Sequence, residues 1–121
     1  MAEIGPADDI DFARYFGGMH VTGRWVGRAL RRGRLIAGFG GLLEVKDAEW
    51  FAFLEVPAGD RKPHVYRHVL AAFAEAKAQG AKRITAWCDT SIPGAEKLMN
   101  RLGFKKTDEI MQEKEVWAWE L

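Results

Sequence analysis

Apolar residues follow two different rhythms along this chain. Residues 9–16 (DIDFARYF) place Ile10, Phe12, Ala13 and Phe16 at helical spacing, and Gly17 and Gly18 follow as a terminator. From Thr22 the rhythm becomes that of strands. TGRWVGRAL, LIAGFGGLLEV and EWFAFLEV are separated by the turn-forming stretches RRGR and KDA, which predicts an antiparallel three-strand meander. EWFAFLEV is apolar almost throughout, as expected of a central strand covered on both faces. The helical rhythm then returns. Val65, Val69, Ala72, Phe73 and Ala76 recur on one face, and Gly80 stands where a C-terminal cap belongs. KRITAWC is the next strand. A strand, a helix and a strand in this order predict a βαβ unit whose two strands run parallel. In the turn DTSIP, Thr90 or Ser91 can cap a helix and Pro93 suits a first helical turn. Ala95, Leu98, Met99 and Leu102 form the stripe of that helix, closed by Gly103, and FKKT and EVWAWEL read as two closing strands. The predicted class is α/β (α+β): a mixed, mostly antiparallel sheet with a central parallel strand pair and helices on its faces.

At 121 residues the chain is expected to be one domain, residues 1–121, with a core that needs no staples. Its formal net charge of +1 points neither to nucleic acid nor to a membrane surface. The distribution is uneven, however. Arg24, Arg28, Arg31, Arg32 and Arg34 lie within eleven residues that hold no acid, whereas both terminal segments are acidic. Such a cluster could bind nucleic acid. A solvated hairpin edge explains it without a partner and is the reading adopted. Cys88 is the single cysteine, so no internal disulfide can form, and a reducing compartment, with the cytoplasm as default, is expected. No apolar run approaches bilayer length, and the first residues lack the pattern of a secretory signal.

Several residues carry candidate chemistry. Glu49 and Glu55 flank the central strand, where a carboxylate can act as general base on an amine or simply keep the strand ends soluble. His64 and His68 share one helical face, but a metal site would need a further ligand, and no metal is expected. Trp117 and Trp119 face one side of the last strand, either closing the core or forming a homodimer surface. GFGG (residues 38–41) is followed by no helix, so it marks a bulge or a close approach rather than a dinucleotide fingerprint.

The order of elements, together with AEKLMNRLGF, resembles the GNAT superfamily of acyl-CoA-dependent N-acyltransferases, over roughly residues 35–121. Ala95, Leu98, Gly103 and Phe104 match the spacing of that family's second helix. Val56, Arg61, Val65, Val69 and Leu70 fall in register with its cofactor loop. The resemblance implies that the two parallel strands splay at their C-terminal ends and accept pantetheine as an added strand would. It places the pyrophosphate of acetyl-CoA, the cosubstrate, at the start of the helix near His64. It implies cofactor contacts from Leu54, Val56, Arg61, Lys62, His64, Val65, Tyr66 and Met99, with backbone N–H groups near Leu54 to Val56 polarising the thioester. Glu55 and Glu49 become candidate bases, and Cys88 a candidate proton donor. The acceptor would be a small-molecule or peptide amine.

The sequence also departs from the family pattern. Lys62, His64 and Tyr66 replace loop glycines, Pro63 has no N–H, Ile92 stands where Asn is common, and Met99 where a proton-donating Tyr is common. The region ahead of the meander has room for one short helix instead of two. These departures motivate the alternative of a non-catalytic GNAT-like interaction module, reminiscent of accessory proteins of tailed bacteriophages.

Overall fold

A computed structural model describes residues 2–18, 23–55, 63–88, 94–111 and 113–121. The chain forms β1 (Ala2–Pro6), α1 (Asp9–Tyr15), β2 (Trp25–Arg32), β3 (Leu35–Lys46), β4 (Glu49–Glu55), α2 (Pro63–Ala78), β5 (Arg83–Cys88), α3 (Ala95–Arg101), β6 (Lys105–Met111) and β7 (Lys114–Glu120). The strands build one seven-stranded sheet in the order β1-β2-β3-β4-β5-β7-β6. β4 and β5, joined by the crossover helix α2, run parallel; every other pair is antiparallel. The fold class expected from the sequence is the one observed. No helix among the described residues is long and apolar enough to cross a membrane.

Each face of the sheet has its own core. On one, Ala72, Phe73 and Ala76 of α2 and Met99 of α3 pack against Trp50, Ala52, Ile84, Ala86 and Trp117. On the other, Phe12 of α1 is buried against Ala29 and Phe39, with Tyr15, Phe16, Trp25 and Phe53 around it. The short α1 is fixed from several sides. Asp8 and Asp11 form a reciprocal capping box. Arg31 donates to Asp11 at 2.6 Å, and the Trp25 indole donates to Asp9 at 2.7 Å.

Four sequence expectations are corrected. β1 was not anticipated: AEIGP has no alternation and only one large apolar residue, and it pairs on one side only, as an edge. Its presence means that the β2–β3 hairpin is not the sheet edge. The arginine cluster is accordingly tied down by acids, with Arg24 on Glu44, Arg28 on Glu75 and Arg31 on Asp11, each at 2.6 Å. Ile10 is 68% exposed rather than packed. It lies about 200° around the helix from Phe12, whose face is shared by Tyr15 and Phe16. Finally, β6 runs to Met111, well beyond FKKT. Trp117 is buried and Trp119 packs beside it, so this pair closes the core. The caps expected at Thr90, Ser91 and Pro93 lie outside the described residues.

The GFGG stretch is a close approach, as its composition suggested. A Cβ on Gly41 would stand 2.4 Å from the Val26 carbonyl oxygen. Gly41→Ala should therefore force the β2–β3 backbones apart and destabilise the fold by roughly 1–3 kcal/mol, measured as a lowered midpoint in urea unfolding.

Candidate active site

The central parallel pair stops short. β4 and β5 are hydrogen-bonded neighbours at Glu49/Arg83, Trp50/Ile84, Phe51/Thr85 and Ala52/Ala86, and no further. Both strands nevertheless continue. β4 remains paired on its outer side with β3 as far as Phe39/Glu55, and β5 with β7 as far as Cys88/Glu115. The inner edges of residues 53–55 and 87–88 thus no longer meet. Main-chain groups that cannot reach across such a gap present donors and acceptors to whatever enters it.

A cavity of about 400 Å³ occupies this gap and crosses the sheet. From the α2–α3 side it is lined by Leu54, Val65, Val69, Phe73, Cys88 and Met99, and from the α1 side by Phe51, Phe53, Glu55, Trp87 and Lys114. The side assignment follows from strand alternation: Ala52 and Ala86 belong to the α2–α3 core, and Phe53 to the α1 core.

No protein-family model and no curated protein matches the sequence. Solved structures do match over the full length. One is an acetyltransferase of the GNAT family from Staphylococcus aureus, at 10% identity and a TM-score of 0.71, covering 100% of this chain and 99% of that one. Another is the ribosomal-protein-S18-alanine N-acetyltransferase from Escherichia coli, at 16% identity and TM-score 0.70, covering 99% and 94%. A third is a GNAT family acetyltransferase from Elizabethkingia anophelis with acetyl-CoA bound, at 12% identity and TM-score 0.65, covering 99% and 98%.

The chain has the GNAT fold.

Within that fold the residues singled out from the sequence separate into groups. Leu54, Glu55, Val65, Cys88 and Met99 meet at the cavity. Cys88 and Met99 are both buried on the α2–α3 side. Tyr66 does not line the cavity; the Arg101 guanidinium lies over its ring at 4.9 Å. Val56, Arg61, Lys62 and Ile92 lie outside the described residues, as does the side chain of His64, whose backbone is in the first turn of α2. His68 lines the cavity, and no three potential metal ligands gather among the described residues.

Glu49 and Glu55 occupy the same strand and the same face but opposite ends. Glu49 sits where β4 and β5 are still zipped. It accepts from Arg83 at 2.8 Å and pairs with Lys46 at 3.1 Å, away from the cavity. Burial alone would raise its pKa, but the hydrogen bonds and charges of Lys46 and Arg83 outweigh burial and hold it below the usual carboxylate value. Glu55, at the open end, lines the cavity, and Tyr15 of α1 lies close enough to feel its charge. Burial in the first place, and then the Glu55 charge, push the Tyr15 phenol up, so it remains a proton-bearing donor. Its ring is stacked on Phe39, with centroids 5.5 Å apart, and Phe39 is the cross-strand partner of Glu55.

Sequence reasoning did not find Tyr15, Trp87 or Lys114. The first fell inside the predicted helix of residues 9–16 but outside its apolar stripe. The other two become site residues only once the β4–β5 and β5–β7 registers are known. Trp87 meets Phe51 edge to face at 5.2 Å, and Lys114 Nζ lies 5.1 Å from the Trp87 ring.

The Glu49 clasp has a definite pH signature. A depressed carboxylate stabilises the fold above its unfolded value, and that contribution disappears as pH falls through the folded value. Glu49→Gln should cost about 1 kcal/mol or less at pH 7. The deficit relative to wild type should close as pH falls below the unfolded value of 4.5. Paired urea titrations across that range check both the sign and the window.

Proposed function

We propose that this chain binds acyl-CoA in the gap between β4 and β5 and transfers the acyl group to a primary amine. The reading is carried by one observation: the parallel pair loses its rungs after Ala52/Ala86 while both strands continue beside a cavity that crosses the sheet. Such a gap suits an amide-bearing arm, because the inward main-chain edge of β4 at Leu54 and Glu55 can pair with it as with a strand. α2 begins at Pro63, just past the open end of β4, so its N-terminal N–H groups and dipole favour a pyrophosphate nearby. Arg61, Lys62, His64, Val65 and Tyr66 are the cofactor contacts proposed around that turn, with Val56 extending the edge of β4. A Bacillus subtilis acetyltransferase of similar fold has a structure in complex with CoA, and the Elizabethkingia enzyme one with acetyl-CoA.

Acyl-CoA supplies the activated thioester when bound. The protein's own groups do the rest. The Glu55 carboxylate takes a proton from the incoming ammonium or amine at the α1-side mouth. Tyr15, beside that carboxylate, is the proposed donor that orients it, and main-chain N–H groups near Leu54 would face the carbonyl on which charge develops. The apolar walls Phe51, Phe53 and Met99 exclude water from the reacting centre. Cys88 lines the opposite wall and is the proposed proton donor to the departing thiolate. The acceptor is a small-molecule or peptide amine, and the lone cysteine fits a reducing, cytoplasmic setting.

A second reading, a GNAT-fold module that has lost transfer, is favoured by Met99. This buried side chain lines the cavity and carries no proton to give.

Calorimetric titration with acetyl-CoA and with desulfo-CoA should give saturable heat; its absence at millimolar ligand ends the cofactor proposal. Glu55→Gln should leave acetyl-CoA affinity unchanged and lower the rate of CoA release with amines by about 100-fold. Wild-type protein that binds acetyl-CoA but releases no CoA with any amine would favour the non-catalytic module.

A further inference from the structure

The α1 side of the gap carries two opposite charges at the same height. Glu55 stands three residues beyond Ala52, the last β4 residue paired with β5. Cys88 stands two beyond Ala86 on β5, and Lys114 on β7 is one residue past Cys88's partner Glu115. Both charged residues therefore stand three residues past the last rung, on either side of the opening. They share a face: Glu55 alternates in phase with Phe51 and Phe53, while Lys114 lies over Trp87, which touches Phe51. Two strand spacings separate their backbones, about 10 Å before the splay adds to it.

The surface between them is aromatic. Phe51 and Trp87 form it, and both line the cavity. The Trp87 indole N–H is itself buried, so it is the faces and edges of the two rings that meet whatever enters. Lys114 makes no ion pair among the described residues; its ammonium lies over the Trp87 ring. The single helix on this side covers the β2–β4 portion of the sheet through Phe12, Ala29, Phe39 and Phe53, and none of its core contacts is on β5 or β7.

We propose that this surface is the acceptor site and that it selects a zwitterionic amine: a primary amine and a carboxylate at opposite ends of a flat apolar body about one aromatic ring long. The amine faces Glu55, the ring lies against Phe51 and Trp87, and the carboxylate pairs with Lys114. The assignment rests on the acyl-transfer reading for its purpose but not for its test. The Coulomb preference is directional. A neutral end forgoes the Lys114 pair, and a cationic end is repelled by it.

Binding is measured without cosubstrate, by nitrogen–proton NMR of the indole N–H signals, with Trp87 assigned through Trp87→Phe. Three probes are used: p-(aminomethyl)benzoate, benzylamine and p-xylylenediamine. The carboxylate probe should move the Trp87 signal and bind about tenfold or more tighter than benzylamine, with the diamine weakest. Lys114→Met should bring the carboxylate probe and benzylamine together, and Lys114→Glu should invert the order in favour of the diamine. Lys114 is exposed, so both variants should fold. Equal affinities in the wild type, a preference that survives Lys114→Met, or an unmoved Trp87 signal would each overturn the assignment. A chain that binds acetyl-CoA yet shows no preference overturns this inference alone. A preference without acetyl-CoA binding upholds the zwitterion-binding site and overturns the transfer reading together with the acceptor role.

Discussion

Everything distinctive about this molecule follows from where the hydrogen bonding between β4 and β5 ends. Adjacent parallel strands normally stay paired, because a buried main-chain group without a partner costs free energy comparable to a lost hydrogen bond. Here each strand is held from outside while its inner edge is released. β3 keeps β4 straight to Glu55, and β7 keeps β5 straight to Cys88. The gap is therefore not a frayed end. It is the space between two pieces of sheet that are each complete on their far side, and its walls are mainly apolar side chains rather than main chain.

The two glutamates of β4 show how one strand serves two purposes. They are six positions apart and point to the same side. Glu49 lies where the strands are zipped and is consumed by Arg83 and Lys46. Glu55 lies where they are parted and meets a phenol instead of a cation. A carboxylate already paired with two cations is a poor proton acceptor, whereas one that lines a cavity can meet an incoming amine. Position along the strand, not residue type, separates a clasp from a candidate base.

Much of the fold was legible because rhythm survives translation into structure. The apolar run of β4, the helical stripe of α2 and the alternation of β5 are each long enough to specify their element, and their order specifies the parallel pair. β1 was illegible, since five residues paired on one side need little apolar alternation. Ile10 misled because apolarity near a helix start says nothing about which face turns inward. The candidate site was half legible. Leu54, Glu55, Val65, Cys88 and Met99 do meet, and they were found through strand ends and the family pattern. Glu49 was named with them because a sequence gives both ends of a strand equal standing. Tyr15 and Lys114 could not be found that way. Their relevance depends on a helix docking angle and on two registers, neither of which is encoded locally.

The closed end of the opening is as definite as its mouth. Arg83 grips Glu49 and Glu120, and the Ala48 carbonyl accepts from the N–H groups of both Lys82 and Arg83, at 2.8 and 3.1 Å. The two halves of the sheet, β1 to β4 with α1 and β5 to β7, thus share main-chain rungs only at one margin, beneath the core that α2 and α3 lay across both. Widening of the mouth must then be a rotation about that margin, not a sliding of one leaf past the other. Displacement in such a rotation grows with distance from the axis. The four rungs near the fastening would barely feel it, while Glu55 and Lys114, at the free tips, would travel farthest.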